Sequence, residues 1–308
     1  MFVVPERLRG SPLLVVSSFL FAVMALFARM VAGRLSVGQV VCARFVIGLV
    51  FLAFYFPLTG TRPRMGRPVL WALRGLFGGC SVFFYFTAID RLALGPATLL
   101  NSCWPLCAAL LGIAILGERV GGHLALGLMA TTVGAGLVIW STLGGGLGPL
   151  LETGRGTGAC AGALSALLAG AAVIALRALR GDTDAASIFL SFCLFGLLFG
   201  LPFALRDWRP VEPHLLGPVL GMGLASVAAQ MIFTYALGYV TTAAAGGIST
   251  QLTPAFSWGL GLLLLGESLR PLAVGGALLC MGGVLWGTGL LPRLLVSTSR
   301  SFSLKGWF

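Results

Sequence analysis

The chain has 308 residues, of which 58% are hydrophobic and 9% charged, and a formal net charge of +11. A soluble domain carries about 25% charged residues, so this composition, with a mean hydropathy of +1.00, excludes a water-soluble globular protein and points to the lipid bilayer. The cations are spread over loops instead of forming one basic stripe, which excludes a nucleic-acid partner and fits contact with lipid headgroups.

Ten apolar runs follow one another at 12–32, 36–57, 69–89, 95–116, 122–141, 157–177, 186–205, 215–238, 243–265 and 272–291. Crossing about 30 Å of hydrocarbon takes roughly 20 residues of helix. A backbone without water must bond to itself, so each run is read as a membrane helix. The first follows Arg7 and Arg9 as a signal peptide would. It is long for a cleaved signal and no small-residue cleavage site follows, so it is kept as the first helix. The second helix carries Arg44, about 12 Å from its start, and the third carries Arg74, about 9 Å in. On the third, Arg74, Gly78, Ser81 and Tyr85 share a face; on the fourth, Thr98, Asn101 and Pro105 do. Residues 142–155, rich in glycine, read as a linker between two halves, 1–148 and 149–308. In the second half, Ser226, Gln230 and Thr234 form a stripe on the eighth helix, and Gly247, Gln251, Pro254 and Trp258 form one on the ninth.

The halves repeat one another. Pro105 stands thirteen residues before Glu118 and Pro254 thirteen before Glu267, at an offset of 149 residues that also maps Gly117 on Gly266, Gly127 on Gly276 and Gly134 on Gly283. Internal repeats with matching broken helices mark transporters. With five helices per half, the second half enters from the opposite side, so the repeats are inverted and the two Gly-Glu corners face opposite ways. With the amino terminus inside, the inner segments hold eleven cations and the outer segments seven. This bias predicts a multi-pass protein of the cell (inner) membrane with both termini cytoplasmic. Pro105 and Pro254 each delete a backbone hydrogen bond and read as symmetric hinges; a kink without motion is the alternative.

Gly75/Gly79, Gly196/Gly200, Gly217/Gly221 and Gly283/Gly287 lie four apart and leave flat strips on helix faces. Close packing within one chain is the main reading, and a homodimer seam on the last helix is the other. The seven cysteines all fall in predicted spans. Cys103 and Cys107 lie one turn apart without His or carboxylate beside them, so neither a metal site nor a disulfide framework is expected. No cofactor motif occurs, and the Gly-rich stretch at 144–148 lacks the Gly-Lys-Ser/Thr of a nucleotide-binding loop.

All nine acids lie at helix ends or in loops, so neither a carboxylate proton relay nor a catalytic acid–base pair is visible. Arg44 and Arg74 are therefore buried cations without an acid. An arginine at helix centre costs about 2.5–3.5 kcal/mol and must face carbonyls, a wet cavity or an anion. Arg74 has the further option of snorkelling to the interface. The candidate substrate-binding residues are Arg44, Arg74, Ser81, Tyr85, Asn101, Gln230, Gln251 and Trp258; interhelical hydrogen bonding or plain packing is the competing account of each.

Ala43-Arg44-Phe45, Leu73-Arg74-Gly75, the segment Ala88-Ile89-Asp90-Arg91-Leu92-Ala93-Leu94-Gly95-Pro96-Ala97-Thr98 and the doubled Pro-to-Gly-Glu word resemble the EamA-type branch of the drug/metabolite transporter superfamily. The resemblance covers about residues 12–291 and includes the subgroup of organic-anion carriers. It implies an all-α integral membrane fold of ten transmembrane helices in two inverted five-helix repeats. It further implies a central cavity lined by helices one to four and six to nine, with the fifth and tenth outside. Any charged recognition would be one-sided, since Arg44 and Arg74 map by the offset to Cys193 and Gly223. The expectation is a secondary transporter of a small polar or anionic metabolite, working by alternating access and not an enzyme. A lipid-modifying membrane enzyme and a non-transporting scaffold are the alternatives.

Overall fold

The computed structural model describes residues 6–116, 122–142, 154–179, 183–236, 242–268 and 270–287. They form eleven helices, with no strand among the described residues. The first half holds α1 (Glu6–Val31), α2 (Val37–Thr59), α3 (Pro68–Arg91), α4 (Leu94–Asn101), α5 (Trp104–Leu116) and α6 (Gly122–Thr142). The second holds α7 (Arg155–Leu179), α8 (Ala185–Arg206), α9 (Pro213–Ala236), α10 (Thr242–Leu265) and α11 (Pro271–Gly287). Six stretches are long and apolar enough to cross a membrane: Pro12–Val31, Val37–Thr59, Pro68–Arg91, Arg155–Leu176, Ala185–Arg206 and Pro213–Ala236. Shorter apolar helical stretches run over Ala125–Ser141, Leu252–Leu265 and Pro271–Trp286.

The fourth predicted run is broken. Pro105 has no N–H to offer the Asn101 carbonyl. Ser102 N instead bonds Thr98 O at 3.0 Å, Cys103 N bonds Leu100 O at 3.2 Å, and the ladder restarts from Cys103 O. This tightened turn separates α4 from α5. By contrast α10 runs through Pro254 without interruption.

Elements of the two halves alternate around a ring. Each neighbouring pair in the order α1, α9, α2, α8, α3, α7, α4, α10 and back to α1 is in contact, and α5 continues α4 along α7. Helices α6 and α11 lie outside the ring and pack mainly on each other. Arg29 in the last turn of α1 and Arg155 at the start of α7 line one cavity, so the first helices of the two halves point in opposite directions.

The solvent pattern is that of a membrane protein. Phe54, Leu198, Leu224, Leu263 and Leu278 are more than 60% exposed, while Ser17, Ser165, Ser187 and Ser191 are wholly buried. Exposed apolar faces of this extent need a lipid solvent. Inside, hydroxyls bridge helices: Ser17 Oγ donates to Ala229 O at 2.9 Å and Ser81 Oγ to Ser165 O at 2.8 Å.

Glycines set the closest approaches. A side chain at Gly79 of α3 would strike the backbone of Gly196 on α8, and one at Gly221 would meet Phe27. The α6–α11 pair is reciprocal. Gly134 abuts the carbonyl of Gly276, and Gly283 abuts the carbonyl of Gly127. Under the 149-residue offset the first contact becomes the second, as at a two-fold interface, where residue i meets j and j meets i. Glycines repeated in the sequence are thus repeated contacts in space, and they serve packing within the chain. Gly276→Ala is expected to lower the thermal unfolding temperature in detergent, because its Cβ would lie 2.7 Å from Gly134 O; overpacking of this kind costs about 1–3 kcal/mol. The adjacent Gly275 has open space at the same point, so Gly275→Ala should be neutral or stabilising. Equal losses in both variants would contradict this interface.

Candidate functional site

Local sequence signals place the buried cations. Ser36 caps α2 and forms a capping box with Gln39: Gln39 N bonds Ser36 Oγ at 3.3 Å, and Ser36 N bonds Gln39 Oε1 at 3.1 Å. This box fixes the start of α2 and so the depth of Arg44. Pro68 at the first position of α3 fixes Arg74 in the same way.

The two arginines meet in the middle of the ring. Both line a cavity of ≈ 150 Å³ with Ser81, Tyr85, Asn101 and Gln230. Arg44 is 4% exposed and Arg74 6%, so Arg74 is turned inward and does not snorkel. Their guanidinium carbons lie 5.2 and 4.8 Å from the ring centre of one residue, Phe192. Phe45 and Phe86 also stand within 5.7 Å of Arg44. Such contacts attract the cations through the ring faces and leave the N–H edges for hydrogen bonds. Arg44 Nε donates to Ser226 Oγ at 2.5 Å. Arg74 Nε and Thr253 Oγ1 are buried without a hydrogen-bond partner among the described residues, and both residues line the cavity. None of the described ion pairs involves either arginine.

The polar wall is organised by shared hydroxyls. Tyr85 Oη and Thr98 Oγ1 are 3.1 Å apart, and Thr98 Oγ1 donates back to Leu94 O. Asn101 Nδ2 donates to Ser165 Oγ at 3.0 Å. Gln230 Nε2 reaches Thr234 Oγ1 at 3.4 Å.

Of the residues singled out from sequence, Arg44, Arg74, Ser81, Tyr85, Asn101 and Gln230 therefore come together. Trp258 does not join them: it lines a second cavity at the ring's end and packs against Gly95. A four-residue step on a helix puts residues on one face but at different depths, and that depth separates Trp258 from the arginines. The side chain of Gln251 and the Glu118 corner lie outside the described residues. Pro105 is the second residue of α5, just after the break beside the cavity, and Pro254 is buried in α10. Sequence reasoning missed Phe192, the platform shared by both arginines, and Thr253. It also missed the α7 wall of Ala169, Ala172, Val173 and Leu176. Small apolar residues carry no chemical signal, and one phenylalanine among 21 is invisible until packing selects it. Every ring helix contributes to this cavity, and neither α6 nor α11 does.

The model of the EamA-like transporter family matches residues 8–140 and 156–288. A pseudopaline exporter, CntI, of Pseudomonas aeruginosa is 26% identical over 272 residues, covering 88% of this chain and 92% of the relative. An uncharacterized transporter of Helicobacter pylori is 26% identical over 301 residues, covering 93% of this chain and 96% of the relative. One crystal structure superposes with a TM-score of 0.65 at 21% identity, over 93% of this chain and 98% of the other, a likeness of fold.

Proposed function

The chain belongs to the EamA-like transporter family, and we propose that it is a secondary transporter carrying a small anionic metabolite by alternating access. The observation that carries the reading is the pair of buried arginines over Phe192, unpaired by any carboxylate among the described residues, with the unpartnered Arg74 Nε beside a cavity. Holding two cations there is costly unless something anionic joins them. A carboxylate or phosphate supplies the missing charge and accepts the N–H groups through two parallel bonds. Ser81, Tyr85, Asn101 and Gln230 then offer neutral hydrogen bonds to the rest of the molecule. A cavity of ≈ 150 Å³ suits a small substrate. The Pseudomonas relative is named an exporter, which favours outward transport here.

The membrane arrangement belongs to the same proposal. The opposed directions of α1 and α7 and the reciprocal glycine contacts support two inverted repeats. The proposed ten crossings take α4 and α5 as one broken span. The cation bias favours both termini in the cytoplasm. Single cysteines introduced at Arg119 and at Ser268 should label from opposite sides of the membrane with an impermeant reagent. Labelling of both from one side would contradict the inverted repeat.

Ligand class is tested by thermal shift on detergent-purified protein, since a ligand raises the stability of the state that it binds. The expected stabilisers are small carboxylates or phosphates, with their neutral amides or esters inactive. Stabilisation by neutral or cationic compounds alone would overturn the anion reading.

A further inference from the structure

At the end of the ring a second cavity, of ≈ 320 Å³, is lined by Arg29, Arg91, Arg155, Arg270, Glu267 and Trp258. It is stacked on the central cavity. Along α4, Pro96 faces this vestibule and Asn101 the central cavity, a separation of roughly 8 Å. The wall between them holds Trp258 packed on Gly95 and the Tyr85–Thr98 hydroxyl pair.

Two of the arginines also serve the fold. Arg29 Nη1 donates to Ile89 O at 2.9 Å and Arg270 Nη1 to Ser141 O at 2.6 Å, each at the end of a helix. That role accounts for one arm of each and does not account for four guanidinium groups around one space. A guanidinium has five N–H donors in a fixed plane, so an arm pinned on a carbonyl orients the rest. Arg91 pairs with Asp90 at 3.3 Å and is half exposed. Against four arginines the lining, among the described residues, sets one carboxylate, Glu267. Both of its oxygens accept from Leu94 N at 3.0 Å, and Oε1 lies 3.5 Å from Arg29 Nε. Glu267 therefore already fills one anion position among the four arginines of the described lining.

We propose that this vestibule is an anion-binding site in its own right, taking a small multiply charged carboxylate or phosphate, with Glu267 as its built-in competitor for Arg29. It is separate from the central cavity and stands or falls independently of the role given to Arg44 and Arg74. Cations ringing an enclosed mouth focus the field and raise the local concentration of anions. Substitution of Glu267 by glutamine keeps an acceptor for Leu94 N while removing the charge that pairs with Arg29.

Two tryptophans report the two spaces, Trp104 in the central cavity and Trp258 in the vestibule. The protein in phosphatidylcholine nanodiscs is titrated with citrate while intrinsic fluorescence is followed in Trp104→Phe and Trp258→Phe. A saturable change should persist in Trp104→Phe and vanish in Trp258→Phe. In the Trp104→Phe background, Arg91→Gln and Arg270→Gln should each raise the half-saturating concentration by about tenfold, the loss of one charge-assisted bond. Glu267→Gln should lower it several-fold. Because a lipid headgroup carries the same phosphate chemistry, the titration is repeated in discs containing phosphatidylglycerol. A shift to higher citrate identifies the headgroup as a natural occupant; an unchanged curve identifies a soluble anion. A change that survives in Trp258→Phe but not in Trp104→Phe places binding in the central cavity and overturns the vestibule site. So do unaltered affinities in both arginine variants, or weaker citrate binding in Glu267→Gln, which would make the carboxylate part of the ligand's grip.

Discussion

Arg44→Lys is expected to weaken binding of the anionic ligand about tenfold or more, although it keeps the positive charge. The guanidinium of Arg44 is held by three aromatic rings and by Ser226, so its plane is fixed. A planar fork grips a carboxylate or phosphate through two bonds, whereas an ammonium is a compact point charge that loses both the fork and the ring contacts. Arg44→Gln should lose about a hundredfold, the value of two charge-assisted bonds, together with the preference for anions over neutral analogues. The rival account makes Arg44 a brace of the fold. It then predicts less folded protein, with unchanged affinity in the molecules that do fold. Among the described residues Arg44 hydrogen-bonds Ser226 alone, and its guanidinium lies beside a cavity. Removing an unpaired buried charge should therefore leave the unfolding temperature of Arg44→Gln equal to or above that of the parent. Affinity per folded molecule, measured beside the unfolding temperature, separates the two accounts.

Pro105→Ala is expected to slow transport strongly at normal protein level. The α4–α5 break rests on a missing donor: with alanine at this position an N–H becomes available to Asn101 O, and the two helices can join. Joining them would turn Asn101, Ser102 and Trp104, which all line the cavity. Pro254 lies in an unbroken helix, so Pro254→Ala should slow transport less. Parent rates in both variants, with expression unchanged, would reduce the prolines to packing features.

Much of this was legible in the sequence because a bilayer simplifies the reading. Length and apolarity alone mark where helices run, and the doubled Pro-to-Gly-Glu word exposes the repeat. The glycines that map onto each other by the offset pack on each other, because a symmetric interface makes repeated residues meet. Arg44 and Arg74 stood out because buried cations are rare. That they share Phe192 was not legible, since α2, α3 and α8 are brought together only by the alternating ring. The break at Ser102 was missed because Pro105 signals a lost bond but not whether the helix bends or restarts; Pro254 carries the same signal without an interruption. That Trp258 lines the second cavity was not legible, because helical periodicity gives a face and not a depth. The arginines of the vestibule were read as loop charges, and their convergence comes from helix ends distant in sequence.

The central claim is that the cavity carries an anion between Arg44 and Arg74. Its most direct test is flux through liposomes reconstituted with the purified protein, loaded in parallel with small carboxylates and with their uncharged amides. The account predicts protein-dependent flux of at least one carboxylate, none of its amide, and loss of that flux in Arg44→Gln at equal incorporation of folded protein. Flux of the amide equal to that of the acid, or carboxylate flux undiminished in Arg44→Gln, would contradict it.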